Sequence, residues 1–450
     1  MKKFFEKNLI SLAKSLNSPL YVVGGAVRNF LIDKSYSLDV DLAAAIPTEE
    51  LSEKLKQFGF TIVAEYKRTG TVVFRGEDRK YEYTAFRREK YSKGGEHTPI
   101  ETEFTLDILE DAKRRDFKCN AVYYDIANGK IVDVLGGVKD IKNKVLDTVD
   151  LPEKVFGSDG LRLMRLARFA GELNFKPTLE VMGAATKFAS NIKDISPERI
   201  YAELLRILHS DEKYPFSDKE GHYTGLKILD HTRVLDYVFP ELTQGRGMAQ
   251  RADFHKYDVL EHSLRAVLHS NYSVRLSSLL HDVAKPYCFK RDGMYYRHDV
   301  EGERMAEDIL RRLKADNATI KKVKFLVKAH MVDLDCSMRE SKVRLFMVRN
   351  FNLLKELLYV KQADYRASLE NDSTSPTLIK WGKIYWEMCK NGVPFTLKDL
   401  KISAEDLIAL GFKGQEIGKE LKKLWEFAVV NDGANDKDKL LKIAKDDLAK

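Results

Sequence analysis

The chain has 450 residues, too many for one ordinary core, so two to four domains are expected. Its 76 basic residues against 68 acidic ones leave a net charge of +8, a mildly basic balance that suits a polyanionic partner without requiring one. Apolar residues make up 44 %, no apolar run approaches membrane-spanning length, and Cys119, Cys288, Cys336 and Cys389 are scattered without CxxC spacing. These features exclude a membrane protein and a disulfide scaffold, and predict a reduced, cytoplasmic one. Glu6, Lys7 and Lys14 interrupt any signal-peptide core, so an amphipathic first helix is expected.

The first strong signal is Leu20 to Val23, an apolar, β-branched run that predicts a buried strand. Gly24-Gly25 breaks it, and Ala26 to Ile32 has helical composition. A glycine turn opening a helix lets backbone N–H groups approach an anion, and Arg28 in the first turn can hold a phosphate bidentately. Leu38 to Leu42 predicts a second strand, with Asp39 and Asp41 on one face and Val40 on the other. Two adjacent carboxylates repel unless a cation joins them, and Mg²⁺ bridging to a substrate phosphate is the natural one. Further strands are predicted at Thr71–Phe74, Tyr81–Thr84 and Val122–Asp125, giving a mixed α/β region to about residue 140. From about 141 the strand signals stop. Residues 159–210 predict helices, broken near Pro177 and at Ser196-Pro197-Glu198, and residues 257–370 are helical and histidine-bearing. The remainder is helical and lysine-rich, with a turn or loop over 431–438.

Two more stretches carry chemistry. Lys113-Arg114-Arg115-Asp116-Phe117-Lys118-Cys119-Asn120-Ala121 is a cationic run closed by an acid and an amide. In Asp159-Gly160-Leu161-Arg162-Leu163-Met164-Arg165-Leu166-Ala167-Arg168-Phe169 the helical spacing makes Asp159 and Arg162 neighbours, while Arg165 and Arg168 each step round by about 60°. Alone, the first reads as a solvated loop and the second as a local ion pair. GGAVRN, DVD, RRDFKCNA and DGLRLMRLARF, in that order, resemble the class II tRNA nucleotidyltransferase and poly(A) polymerase family, whose motifs run GGxVRD, DxD and RRDFxxNA.

The resemblance implies an α+β fold: a small mixed-sheet, polymerase-β-like nucleotidyltransferase head over 1–140, then all-helical parts. These are a nucleobase-reading neck over 141–215, a body over 216–370 and a tRNA-binding tail over 371–450. It implies that Asp39 and Asp41, with Glu82 on a neighbouring strand, hold Mg²⁺ for attack of an RNA 3′-hydroxyl on a nucleotide α-phosphate. Gly24, Gly25, Arg28, Arg114, Arg115, Asp116, Asn120, Asp159, Arg162, Arg165 and Arg168 then form the nucleotide site, and Glu198-Arg199-Ile200 braces the neck helix. Asp159 and Arg162 act as a protein template. A carboxylate only accepts and a guanidinium only donates, which fits the amine and ring nitrogen of cytosine and adenine and rejects uracil and guanine. Asp133-Val134-Leu135-Gly136-Gly137-Val138-Lys139-Asp140 resembles the hinge between head and neck. The expected activity is addition or repair of the 3′-terminal CCA of tRNA from CTP and ATP. The partners are the tRNA acceptor end and elbow, with no membrane, and a homodimer is the candidate assembly. A poly(A) polymerase, or a CC-adding or A-adding partial enzyme, is the alternative.

Three departures stand out: Asn29 where the motif has Asp, Ser158 where many members have Glu, and a 91–99 loop lacking the expected Asp and arginines.

In the second half, His262, His281-Asp282, His298, His330 and Asp364 combine imidazoles and carboxylates suited to a divalent transition metal. Their order resembles the HD phosphohydrolase superfamily, which implies an HD domain over 257–370. His262, His281, Asp282 and Asp364 would bind a metal (Ni²⁺, Mn²⁺ or Mg²⁺), with His298 and His330 serving a second metal or phosphate. The contrasting readings are a scaffold domain, and a metal-dependent HD phosphohydrolase whose head only binds RNA. His255 and His269 receive no role. In the tail, Leu407 to Gly418 resembles the nucleotidyltransferase family's C-terminal segment; its Gly-x-x-Gly turn opening a helix presents backbone N–H groups to a nucleic-acid phosphate, or the stretch is a helix-turn-helix packing unit.

Overall fold

The computed structural model describes residues 1, 4–35, 39–90, 101–370 and 372–449; Leu38 and the 91–99 loop lie outside them. The chain packs as two compact units, residues 1–240 with 312–314, and residues 241–311 with 315–450.

The first unit opens with the expected first helix, Lys7–Ser15, and continues with a sheet of strands β1 (Tyr21–Val23), β2 (Asp39–Ala44), β3 (Thr61–Tyr66), β4 (Thr71–Arg75) and β5 (Lys80–Ala85). A separate hairpin follows, β6 (Arg87–Lys90) with β7 (Glu101–Phe104), and then β8 (Tyr123–Asp125) and β9 (Lys130–Val132) complete the sheet. Among the described residues the sheet has seven strands in the order β3-β4-β5-β2-β1-β8-β9. Most neighbours are antiparallel, but β2 runs parallel to β5 and sets Asp41 opposite Glu82. Alternation explains the register: Val40, Leu42, Tyr81 and Tyr83 are buried, while Asp39, Asp41 and Glu82 face outward. Tyr83 is pinned by its hydroxyl, which donates to the Ile46 carbonyl at 2.5 Å, and Tyr81 stacks on Phe74 with centroids 5.1 Å apart.

Beyond the sheet the strand signal does not end at 141. Val145–Leu146 pairs in parallel with Lys176–Pro177, but two residues are too few to show a periodicity of two. Helices then dominate: Pro152–Ser158, Leu161–Leu173, Leu179–Lys187, Pro197–Leu208 and Gly221–His231. Pro197 stands at the first helical position after Ser196, where its missing N–H costs nothing. In Leu161–Leu173 every residue except Arg165 is buried. That helix crosses Gly221–His231 at bare backbone. A Cβ on Gly171 would stand 2.3 Å from the Gly221 carbonyl oxygen, and one on Gly221 would stand 2.6 Å from that of Gly171.

The second unit is helical throughout its described residues. Helix Phe351–Leu369 packs on Val259–Leu268, and Trp381, Met347, Leu357 and Leu424 share one buried cluster. Helix Gln415–Val430 opens after Gly414, and Asn431 and the residues after it turn the chain into helix Lys437–Leu448. No helix of the described residues is long and apolar enough to cross a membrane.

The Gly171 crossing carries a stability prediction. Gly171→Ala is expected to cost about 1–3 kcal/mol through overpacking against rigid backbone. Gly183→Ala, in a helix where a Cβ would meet nothing within 4 Å, is expected to gain about 0.5–1 kcal/mol. Urea midpoints moving in the same direction for both would refute the tight crossing.

Candidate functional sites

The β1 strand ends at Gly24, whose φ of +78° is left-handed and where a Cβ would approach Asp41 Oδ2 at 3.2 Å. Helix Gly25–Asp33 starts there, so its N-terminus faces a cavity of about 470 Å³. The lining is strongly cationic: Arg28, Arg87, Arg114, Arg115, Arg162, Arg165, Arg168 and Arg206 against Asp41, Glu89, Asp116 and Asp159. A site of this charge suits a polyanion such as a nucleoside triphosphate.

Asp41 lines the cavity, while Asp39 and Glu82 lie on the same sheet face beside it, outside the lining. Burial raises the Asp41 carboxyl above its ordinary range; Arg115 opposes that, and Glu82 and Asp39 reinforce it. Hard oxygen donors that repel one another are the donor set a Mg²⁺-like cation relieves, so these residues fit the expected ion.

The cationic run follows helix Ile108–Lys113. Asp111, fully buried, holds both of its arginines: Arg114 Nε at 2.7 Å and Arg115 at 3.1 Å. Burial alone would raise the Asp111 carboxyl, but Arg115 and Arg114 outweigh it and hold it low. Asp111 was not among the sequence candidates, although acids three and four residues before an arginine on a helix are a readable signal. Asp116 is likewise buried. Burial would raise its carboxyl, yet Arg165, with two contacts of 2.5 and 2.7 Å, and Asn120 keep it well below the ordinary range. Asn120 donates to Asp116 at 3.0 Å and accepts from Arg28 at 2.5 Å.

The neck residues need one correction. Asp159 is not in the helix: it is extended (φ −149°, ψ 105°), between Pro152–Ser158 and Leu161–Leu173, and accepts from the Leu161 N–H at 2.9 Å. Gly160 after it leaves a short turn that still brings its carboxylate within 3.7 Å of Arg162. Arg168, expected in the nucleotide site, lines the cavity; it is 1 % exposed and is bound by Glu203 at 3.1 Å and Glu172 at 3.8 Å, which also braces helix to helix. Of Glu198-Arg199-Ile200, Ile200 is buried while Glu198 and Arg199 are exposed, and Glu203 further along the same helix pairs with Arg168. Arg162 bonds Ser158 Oγ at 3.1 Å and the Arg114 carbonyl at 2.6 Å, so Ser158 holds it as a neutral acceptor. Burial raises the Asp159 carboxyl, and Arg162 opposes it.

In the second unit the histidine and aspartate candidates meet. His262 Nε2 lies 3.1 Å from His281 Nε2, 3.3 Å from Asp282 Oδ2 and 3.1 Å from Asp364 Oδ1. His298 Nε2 lies 3.3 Å from His330 Nε2 and 3.2 Å from Asp282 Oδ1. Asp282 thus joins two ligand groups, one at each carboxylate oxygen, each compact enough for a metal ion. His281, His298 and His330 each set Nδ1 against the carbonyl three residues earlier, at 2.8, 2.8 and 2.6 Å. An Nδ1–H donated there aims the Nε2 lone pair at the cluster, as metal-binding histidines require. Burial would lower His281, but Asp282 and Asp364 raise it to about 10, a demand for positive charge that a divalent cation would meet. Lys285 donates to Asp282 at 2.7 Å, and the buried Lys361 donates to the His330 and Val332 carbonyls at 2.7 and 2.5 Å. Neither lysine was a sequence candidate; Lys285 is readable as i+3 from Asp282, Lys361 is not.

Asp116 gives a pH prediction. Its folded pKa is depressed, so its stabilisation is complete above an unfolded value of about 3.9 and is lost as pH falls toward the depressed value. Asp116→Asn is expected to lose about 2–3 kcal/mol at neutral pH, below the ~3–5 of a fully buried pair because Arg165 keeps some water contact, and to flatten the acid limb. Denaturant titrations from pH 7 to 3 check this; parallel limbs for both proteins would contradict it.

Known proteins resemble this chain in both sequence and fold. The model of the poly A polymerase head domain matches residues 20–147, and that described as "Probable RNA and SrmB- binding site of polymerase A" matches residues 174–245. An A-adding tRNA nucleotidyltransferase of Deinococcus radiodurans is 31 % identical over 71 % of this chain and 75 % of that relative. A CCA-adding enzyme of Enterococcus faecalis is 37 % identical over 52 % of this chain and 53 % of that relative, about half its length. The structure of the Bacillus stearothermophilus CCA-adding enzyme in complex with CTP superposes with TM-score 0.67 over 99 % of this chain and 98 % of that one, at 20 % identity, a likeness of fold. With its ordered motifs, its sheet-borne carboxylates and a relative of this extent, the chain belongs to the class II CCA-adding tRNA nucleotidyltransferase and poly(A) polymerase family, and is a nucleotidyltransferase.

Proposed function

We infer that this chain builds or repairs the 3′-terminal CCA of tRNA, adding CMP and AMP from CTP and ATP without a nucleic-acid template. The observation that carries it is that Asp41, the glycine turn and the Asp159–Arg162 pair open on one arginine-lined cavity. In this reading the triphosphate lies against the Gly24-Gly25 backbone and the arginines, and the base meets Asp159 and Arg162. Positioning and charge neutralisation supply most of the rate in phosphoryl transfer. A Mg²⁺ held by Asp39, Asp41 and Glu82 would neutralise phosphate charge and acidify the attacking hydroxyl. Arg114 and Arg115, steadied by Asp111, offer their remaining donors to phosphate oxygens. Asp159 accepts from the exocyclic amine of cytosine or adenine, and Arg162 donates to the adjacent ring nitrogen.

Transcribed tRNAs ending before C, CC or A, incubated with CTP, ATP or both and sequenced at the 3′ end, test the activity. Complete CCA ends are expected, with incorporation reduced at least 10³-fold by Asp41→Ala. Long A-tails on unrelated RNA would instead identify a poly(A) polymerase. An A-adding partial enzyme is favoured by the Deinococcus radiodurans relative, which carries that name; extension only of tRNAs ending in CC would establish it. A homodimer acting in the cytoplasm belongs to the same reading, and sedimentation equilibrium checks the assembly.

A second activity is carried by the six convergent ligands of the other unit: metal-dependent phosphohydrolysis, with 2′,3′-cyclic and 2′-nucleotides as substrates. Phosphate release with Ni²⁺, Mn²⁺ or Mg²⁺ is expected, and is expected to be lost in Asp282→Asn while tRNA extension persists. No turnover with any of the three ions would leave the domain a scaffold.

A further inference from the structure

Lys361 is 2 % exposed, and its hydrogen bonds go to main-chain carbonyls beside the histidine and aspartate cluster. Helix Asn317–Ala329 ends at His330, so the carbonyls at its end have no partner within the helix. Lys361 Nζ supplies one, 2.7 Å from the His330 oxygen and 2.5 Å from that of Val332, and a cation there also suits the helix dipole. His330 is thereby gripped twice. Its Nδ1 meets the Val327 carbonyl at 2.6 Å, and its own carbonyl meets Lys361.

Ion pairing does not account for a lysine at this place. Among the described residues no carboxylate forms an ion pair with Lys361; Asp333, in the turn after His330, is taken by Lys380 at 2.9 Å and by Trp381 Nε1 at 2.7 Å. An unpaired buried cation is unfavourable, so the two carbonyls are what the charge of Lys361 is set against. The helix that carries it, Phe351–Leu369, also serves the other ligand group. Asp364, three residues further on, lies 3.1 Å from His262 and 3.6 Å from His281. One turn of one helix thus reaches both groups that share Asp282, with a ligand for the first and a clamp for the second.

We propose that Lys361 is a positioning residue for a second metal ion. By holding His330 it lets Asp282, His298 and His330 take an ion of their own, beside one held by His262, His281, Asp282 and Asp364. The Nε2 atoms of His298 and His330 stand 3.3 Å apart, and Asp282 Oδ1 lies 3.2 Å from the first. Both rings spend Nδ1 on a carbonyl, so both turn lone pairs to one another, which a divalent cation joins. A shift of the His330 main chain opens this group and leaves the other intact. The inference rests on the metal-centre reading of the six ligands and adds to it the residue that makes the centre binuclear.

Lys361→Met, of similar length but without donors, tests it in the full-length chain against Lys380→Met. Lys380 clamps the same turn further on, donating to the Cys336 and Met338 carbonyls at 2.9 and 2.6 Å, but donates to none of the six ligands. Protein stripped by a chelator is titrated with Ni²⁺, and the ions bound per chain are counted by native mass spectrometry. Two ions are expected for the wild type and for Lys380→Met. Lys361→Met is expected to hold one ion firmly, as His330→Ala does, and to bind the second about tenfold more weakly or not at all. Two ions held with wild-type affinity by Lys361→Met overturn the proposal, as does an equal loss in Lys380→Met or a wild type that takes only one. Melting temperatures of the metal-free proteins report folding. Should Lys361→Met not fold, Lys361→Gln decides: a weakened second ion supports the proposal and wild-type affinity overturns it. Wild-type protein that takes up none of Ni²⁺, Mn²⁺ and Mg²⁺ would count instead against the metal-centre reading.

Discussion

The contact between Asp116 and Arg165 ties the first unit's site together. Asp116 belongs to the cationic segment before β8, and Arg165 to the helix that follows Asp159, so one ion pair joins the two segments across the cavity; in the proposed reading these meet phosphate and base respectively. Asn120 extends it from Asp116 to Arg28 at the glycine turn. Phe169 supplies an aromatic face to Arg28, Arg165 and Arg168 at 5.2, 5.2 and 4.2 Å. Removing one member leaves others as buried charges without partners, which is why such networks respond as units.

The second centre is organised by a different constraint. Three of its imidazoles, His281, His298 and His330, are aimed by main-chain carbonyls three residues earlier, and Asp282 stands between two ligand groups. Backbone geometry, fixed by helix packing around it, does the aiming, so the cluster depends on the helices more than on any one neighbouring side chain. Lys361 is the exception, since it reaches across to the His330 and Val332 carbonyls from the helix that also carries Asp364.

How far the sequence reveals this depends on the range of each interaction. Alternation along β2 announces the shared face of Asp39 and Asp41, and the glycine pair announces the turn. Ordered motifs locate Asp116, Asp159 and Arg162, and the spacing of histidines locates the second cluster. What stays hidden is long-range pairing: Glu203 beneath Arg168, Tyr214 against Arg28, and Lys361 behind His330 are far apart in the chain and follow no local period. Two-residue strands such as Val145–Leu146 are hidden because they are shorter than any pattern. Asn29 is visible as a departure from the motif, but the hydrogen bonds that its Oδ1 accepts from Arg28 are not.

Arg162 offers a last point. Its guanidinium, which faces Asp159, is steadied by the main-chain carbonyl of Arg114, a residue of the cationic segment. In the proposed reading, the pair that meets the base is thus partly held by the backbone of the segment that meets phosphate. Accuracy and catalysis in such an arrangement share one alignment: a backbone shift that misplaces the phosphates also blurs the reading of the base.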